Sequence, residues 1–353
     1  MKALVYELNG KLSVLEREKP APKQGEALIR VYRAGICGSD IVAWQGGFSR
    51  IVNPVVLGHE IAGVVEGVNA TGNANVSPGD KVAVEPLISC GVCEPCRQGY
   101  YNVCRKLGLY GLDKDGGFTS FICVPVERLH RIPEGMSMDR AAFTEPTAVA
   151  VHMIRRSGLL FGQTAAVFGA GPIGILVALV AQKAGASRVV VTDINEHRLK
   201  LAKKLGFHTL HAAQENSSAR MKDFFGAEGA DISFELAASP HSLAAAVEVT
   251  KVRGVIVAGG MFKQSPVIDL QQVTMKEQHV LGTRVYTYSD FHEALRLLND
   301  ADFPVEELIS KRIRVEEAIE QGFQAIKKRG RSDESVNPFQ RITLIGLFIT
   351  RQN

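Results

Sequence analysis

The stretch Gly169-Ala170-Gly171-Pro172-Ile173-Gly174 constrains this chain more than any other. The glycine spacing alone is a weak signal, so its context decides. Thr164–Phe168 before it reads as a buried strand. Ile173–Ala184 after it reads as a helix with small and apolar residues on most faces. Arg188–Thr192 reads as the next strand, and Asp193 follows at its end. This is the full context of a dinucleotide-binding βαβ unit. The first glycine permits the tight turn, the second lets backbone approach a pyrophosphate, and the third lets helix and strand pack closely. Pro172 and Ile173 open the helix, whose first N–H groups suit phosphate oxygens. A carboxylate at Asp193 accepts hydrogen bonds from ribose hydroxyls and repels a 2′-phosphate, so NAD is expected over NADP. Arg198 nearby offers a phosphate partner, an adenine-stacking group or a surface helix residue.

The same texture continues through an amphipathic helix at Glu196–Leu205, a strand at Ala230–Glu235, a helix near His241–Thr250 and a strand at Gly254–Ala258. Alternating strands and helices imply a parallel sheet covered on both faces. The first 150 residues differ. Short strand-like runs such as Ala27–Val31 and Lys81–Val84 are separated by Gly/Pro turns. After about residue 285 the pattern changes again, with helices expected at Phe291–Leu298 and Val315–Lys328 and a closing strand at Ile342–Ile349. The expected division is 1–149, 150–285 and 286–353, with the central part inserted between two pieces of a β-rich domain. The basic run Lys327–Arg331 reads as a solvated loop.

Cys90, Cys93, Cys96 and Cys104 crowd four of the six cysteines into 15 residues. In a reducing compartment such a cluster favours a metal over two disulfides. Four thiolates complete a tetrahedral zinc and leave no open position, which makes the site structural. An iron–sulfur cluster has no other support. A nucleic-acid zinc ribbon conflicts with a formal charge of only +4 spread along the chain. A second set is mixed: Cys37, His59, Glu60 and Glu145. A thiol, an imidazole and carboxylates suit zinc, and an incomplete set leaves room for water or substrate. No apolar run approaches the roughly 18 residues of a membrane helix. Met1–Glu7 lacks the apolar core of a secretory signal. The chain is therefore read as cytoplasmic, with neither membrane nor nucleic acid as a partner.

Six motifs in order carry a resemblance: Cys37-Gly38-Ser39-Asp40, Gly58-His59-Glu60, the four-cysteine loop, Asp115-Gly116-Gly117-Phe118, Glu145-Pro146 and the glycine motif. Together they resemble the zinc-dependent medium-chain dehydrogenase/reductase superfamily, in its polyol and sugar-acid branch. That branch carries Glu-Pro where alcohol dehydrogenases place a cysteine ligand. The resemblance implies an α/β chain with a GroES-like β-rich catalytic domain and a Rossmann doubly wound domain. It implies NAD and two zinc ions per chain, the catalytic one held by Cys37, His59 and Glu60 or Glu145. Ser39 becomes the first proton-relay member, and Asp40 holds the site's architecture. Cys123 matches no ligand position and is expected to be a buried core thiol. Trp44 and Phe118 are candidate substrate walls, and Arg284 and Tyr286 candidate substrate contacts. The substrate would be a polyol or sugar acid, and the assembly a homodimer or homotetramer. Two departures stand out. Val42 occupies the position where many relatives carry a relay histidine, and Arg284 is one place nearer Gly282 than usual. The stretch Asn337–Asn353 also differs from the usual ending. The rival readings are a non-catalytic NAD-binding protein that keeps only the structural zinc and a zinc-free quinone reductase.

Overall fold

The computed structural model describes residues 1–71, 74–214, 217–329 and 347–350. The chain forms two compact units. The first holds Met1–Ala148 and the described residues from Thr287 onward, and the second holds Val149–Tyr286. Gly330, Arg331, Asn337–Gly346 and the last three residues of the chain, for which the sequence suggested the end of a basic loop, an unusual terminus and part of a strand, lie outside the described residues.

The first unit is built from short strands: β1 (Lys2–Tyr6), β2 (Leu12–Glu16), β3 (Glu26–Gly35), β4 (Val55–Val56), β5 (Glu60–Asn69), β6 (Lys81–Val84), β7 (Leu87–Ile88), β8 (Gly108–Leu109), β9 (Phe121–Pro125) and β10 (Leu129–Arg131). Between them lie the helices α1 (Gly38–Trp44) and α2 (Glu94–Arg97), and after them α3 (Met138–Ala142) and the start of α4 (Thr144–Ser157), whose later residues belong to the second unit. The long strands β3 and β5 pair antiparallel. Their alternating side chains bury Ala27, Ile29, Val31, Ile61 and Val65, as period-2 patterning requires.

The second unit contains β11 (Thr164–Phe168), α5 (Pro172–Lys183), β12 (Arg188–Asp193), α6 (Glu196–Lys204), β13 (His208–His211), α7 (Ser217–Phe225), β14 (Ala230–Glu235), α8 (Pro240–Val249), β15 (Thr250–Ala258), α9 (Leu270–Met275) and β16 (His279–Gly282). Its sheet runs β13-β12-β11-β14-β15-β16, parallel throughout. The chain winds outward from β11 in one direction and then from β14 in the other. The order therefore reverses between β11 and β14, the crevice where such sheets bind ligands. The central strands are apolar because helices cover both faces. The edge strands β13 and β16 are four residues each and partly polar, and hydrophobic patterning did not reveal them.

The chain returns to the first unit through α10 (Tyr288–Asn299), β17 (Lys311–Arg314), α11 (Ala325–Arg329) and β18 (Leu347–Thr350). β18 joins β3 and β17 in the sheet ordered β10-β6-β5-β3-β18-β17. The helical expectation over Val315–Lys328 resolves into three pieces. A 3₁₀ turn covers Val315–Glu317, a π-helix covers Ala318–Gln324, and α11 follows. Lys327 lies on α11 rather than in a loop, with its ammonium 4.9 Å from the centre of the Trp44 ring. Cys123 is half-buried on β9 rather than fully enclosed.

One buried charge fastens the cysteine lobe to this framework. Glu85 follows β6 and is fully buried. Its carboxylate accepts from Arg128 Nη1 (2.5 Å) and Tyr101 Oη (2.8 Å) and meets His130 Nε2 at 3.1 Å. Arg128 Nη2 also donates to Ser89 Oγ at 3.0 Å. Residues on both sides of the cysteine loop thus converge on one carboxylate. Burial opposes its charge, but His130, Arg128 and Tyr101 outweigh burial and hold Glu85 below the usual carboxylate range. A depressed folded pKa contributes stability above the unfolded value, about 4.3, and loses it as pH falls through the folded value. Glu85→Gln should therefore cost about 1–3 kcal/mol near pH 7, because it takes the charge partner from Arg128, whose side chain is only 16% exposed. The gap to wild type should narrow below about pH 4. Urea unfolding at both pH values measures it, and a gap independent of pH would contradict this account.

Candidate active site and metal centres

The mixed donor set assembles in the first unit. Cys37 caps the start of α1, and Glu60 begins β5 beside His59. Ligand atoms of Cys37, His59 and Glu60 all lie within 4.8 Å of one another. His59 and Glu60 are buried, at 3% and 8% exposure. Ser39 Oγ sits 3.2 Å from His59 Nε2.

Asp40 organises this set without facing solvent. It is fully buried. Its Oδ2 accepts from Cys37 N (2.9 Å) and its Oδ1 from Gly58 N (3.2 Å). Oδ1 also lies 3.6 Å from His59 Nδ1. The ring thus turns Nδ1 toward a carboxylate, just beyond hydrogen-bond reach, and Nε2 toward Ser39. At this distance the Asp40 charge acts on the ring electrostatically, from the side where a metal-binding histidine commonly meets a carboxylate.

Glu60 occupies space that exists only because residue 35 is glycine. A Cβ on Gly35 would lie 1.8 Å from Glu60 Oε2. Burial pushes Glu60 up to about 8. His59 opposes that shift, while Glu145 and Asp40 add to it. Burial likewise raises the Cys37 thiol. Glu145, on the first turn of α4, is buried at 7% exposure. It is near enough to act electrostatically on Glu60, although the tight three-donor group does not include it. A half-buried thiol, a buried imidazole and crowded carboxylates form a donor set that fits a divalent zinc ion.

The four-cysteine loop is equally compact. All four sulfurs lie within 4.8 Å of one another and none forms a disulfide. Cys93 Sγ is 3.4 Å from Cys96 Sγ and 3.8 Å from Cys104 Sγ. Zinc–sulfur bonds of about 2.3 Å in a tetrahedron place sulfurs about 3.8 Å apart, so these spacings suit zinc. Backbone N–H groups of Arg105 and Cys96 draw the Cys93 thiol down to about 6, which favours the thiolate ligand form. N–H groups of Cys90 and Lys106 also point at Cys104 Sγ.

In the second unit, the fingerprint turns as its glycines require. Gly169 has φ +109°, and a Cβ on Gly174 would strike Gly169 O at 1.8 Å. Gly171 faces open space, where a Cβ would meet nothing within 4 Å. It is also the N-cap of α5 and makes no side-chain cap bond. Backbone at Gly171, Pro172 and Ile173 is thus open to a phosphate group. Asp193 Oδ2 accepts from Ala170 N (2.8 Å) and Arg198 Nη1 (3.1 Å), and Oδ1 accepts from Asn195 N (2.8 Å). Arg198 is 3% exposed. It is a buried ion-pair partner of Asp193 rather than a surface helix residue.

The four candidate substrate residues need correction or refinement. Phe118 is fully buried, with its ring filling the space beside Gly58 and edge-on to Phe323. It is core rather than an open wall. Tyr286 is also fully buried. Trp44 is half-buried; its Nε1 donates to Gly10 O at 2.8 Å and its ring meets Phe323 edge-on. Arg284 is exposed just beyond β16. Among the described residues, no helix is long and apolar enough to cross a membrane.

Residues 23–134 match the family model described as alcohol dehydrogenase GroES-like domain, and residues 172–300 match the one described as zinc-binding dehydrogenase. The chain is 35% identical over 311 residues to 2-dehydro-3-deoxy-L-galactonate 5-dehydrogenase of Pseudoalteromonas atlantica, covering 88% of this chain and 91% of that protein. It is 33% identical over 336 residues to D-xylulose reductase A of Aspergillus oryzae, covering 92% and 93%. An alcohol dehydrogenase structure from Thermus sp. ATN1 superposes with a TM-score of 0.90 at 29% identity over the full length of both chains. The chain belongs to the zinc-binding alcohol dehydrogenase family. It is an oxidoreductase that acts on CH–OH groups, and nothing supports the non-catalytic alternative.

Asp40→Asn tests the carboxylate behind His59. An amide offers one acceptor oxygen where the carboxylate uses two. Dialysis against a graded chelator series should show metal affinity falling about 10–100-fold at one site, with the other unaffected. Unchanged retention would exclude this role for Asp40.

Proposed function

We propose that this chain is an NAD-dependent dehydrogenase of a polyol or sugar acid, with catalytic zinc at Cys37, His59 and Glu60. Glu145 is proposed to share that site. Cys90, Cys93, Cys96 and Cys104 are proposed to hold a second, structural zinc. The observation that carries the reading is the convergence of Cys37, His59 and Glu60 with Ser39 Oγ 3.2 Å from His59 Nε2. When bound, zinc supplies Lewis acidity toward the substrate oxygen and the nicotinamide accepts or returns the hydride. Ser39 accepts the proton leaving the substrate hydroxyl. Val42 has no proton-accepting group, so Glu145 or water would take the proton on from Ser39, or the ribose of a bound cofactor would. Asp40 keeps His59 fixed while the proton moves.

The substrate class follows the names of the relatives. The decisive experiment is a panel of polyols, aldonates and uronates with NAD on the zinc-loaded protein, followed at 340 nm. Reduction of NAD by members of this panel is expected. A fully metallated protein that reduces NAD with none of them would refute the reading.

The cofactor preference rests on the Asp193–Arg198 pair. The guanidinium is engaged by Asp193 and is not offered to a 2′-phosphate, while the carboxylate would repel one. Gly169, Gly171, Pro172, Ile173 and Gly174 are proposed to receive the pyrophosphate. Asp193→Ala removes the repulsion and frees Arg198. The ratio of kcat/KM for NAD over NADP should fall by at least about tenfold, or 1.4 kcal/mol. A wild-type preference for NADP would contradict the assignment.

Arg284 is proposed to bind a substrate carboxylate through its planar fork. Arg284→Lys should then cost about tenfold in kcat/KM for sugar acids and less for the matching polyols. Equal loss on both classes would remove the carboxylate role. The proposal includes a homo-oligomer, testable by light scattering, and cytoplasmic residence, which suits a chain whose cysteines are free thiols.

A further inference from the structure

Glu235 ends β14, beside the strand that leads into the glycine turn. It lies opposite Phe168 in register, and Leu236 N donates to Phe168 O at 2.9 Å. Its side chain is fully buried. Oε1 accepts from Ala237 N (3.1 Å), Ala238 N (2.9 Å) and Ser242 Oγ (2.6 Å). Its main-chain oxygen accepts from Gly259 N (3.0 Å) and Gly260 N (2.9 Å). One residue therefore holds two turns, 236–239 after β14 and 259–260 after β15.

The first of these turns is costly to hold. Ala238 has φ +51°, a left-handed conformation that a residue with a Cβ adopts at a penalty. Oε2 is buried with no hydrogen-bond partner among the described residues. A Cβ on Gly260 would lie 2.8 Å from that oxygen and 2.8 Å from Ala238 N. Burial drives the carboxyl's pKa up, although Ser242 and the N–H groups of the turn oppose the rise. An apolar side chain would fill this interior without such desolvation. The carboxyl is thus explained by the shape it imposes on the turns rather than by burial.

The location supplies the purpose. Asp193 ends β12 on one side of β11, and the glycine turn follows β11 itself. On the NAD reading above, the adenosine ribose meets Asp193 and the pyrophosphate meets the glycine turn. The remaining half of the dinucleotide then meets the ends of β14 and β15, across the point where strand order reverses. We infer that Glu235 is a positioning residue for the nicotinamide half of the cofactor, setting the 236–239 and 259–260 turns in the form that half requires. This rests on the dinucleotide reading and adds to it a residue outside the glycine fingerprint.

The test measures binding rather than turnover. Calorimetry on the zinc-loaded full chain gives Kd for NADH and for ADP-ribose, which lacks the nicotinamide. Glu235→Ala should weaken NADH about tenfold and leave ADP-ribose within about twofold. Glu235→Gln keeps an acceptor at Oε1 and should stay within about threefold of wild type for NADH. Adding Ala238→Gly to Glu235→Ala should recover part of the loss, because glycine adopts the left-handed turn unaided. A merely structural role would not yield that rescue or that split between ligands. Unchanged NADH affinity in Glu235→Ala, or equal weakening of both ligands, would overturn the inference. Should Glu235→Ala fail to fold, Ser242→Ala replaces it. Loss of the 2.6 Å bond should weaken NADH about threefold and spare ADP-ribose, and an unaltered NADH affinity would overturn the inference. A wild-type protein that binds neither ligand would instead refute the dinucleotide reading itself.

Discussion

The buried carboxylate of Asp40 is the interaction on which the reactive site depends. It receives the N–H of Cys37 from the start of α1 and the N–H of Gly58 from the segment entering β5. These segments are 18 or more residues apart in sequence, and each delivers a donor to the same place. Without a shared acceptor, two buried N–H groups would go unpaired, at a cost of about 1–3 kcal/mol each. The same oxygen that receives Gly58 faces His59 Nδ1. Backbone satisfaction and ligand orientation are therefore one arrangement. Gly35 adds the steric half by leaving its Cβ space to Glu60.

The two units handle their buried charges by similar means. In the first, Glu85 gathers Arg128, His130 and Tyr101 and fastens the cysteine loop to the strands. In the second, Asp193 gathers Ala170 N, Asn195 N and Arg198 at the end of β12. Each carboxylate is surrounded by donors, the condition under which a buried charge is tolerated. Glu235 departs from that pattern, with one oxygen fully engaged and the other unpartnered. Departures of this kind concentrate where function sets the geometry.

Much of this organisation is legible in the amino-acid order. The glycine turn, Asp193 and the cysteine spacing encode local geometry, since their residues lie close in sequence and backbone constraints dictate their use. β11 begins and ends at the residues that apolar patterning suggests, and so does β14. Side-chain environments made by distant segments are less legible. Phe118 reads as a wall residue because the chain has few bulky aromatics to line a pocket. Only the fold reveals that Gly58 and Phe323 enclose it. Arg198 has the spacing of a phosphate partner, yet Asp193 five residues earlier captures it. β13 and β16 escape notice because four-residue edge strands carry too few apolar positions to show a period. Glu235 is an acidic residue at a strand end, with no sequence mark of its burial.

The central claim is that Cys37, His59 and Glu60 form a zinc site distinct from the four-cysteine site. Anomalous diffraction from crystals of the protein purified without chelators, measured on both sides of the zinc absorption edge, tests it most directly. The account predicts two zinc peaks per chain, one among the four cysteine sulfurs and one within bonding distance of Cys37 Sγ and His59 Nε2. A strong peak at the cysteines with none at Cys37 and His59 would contradict it.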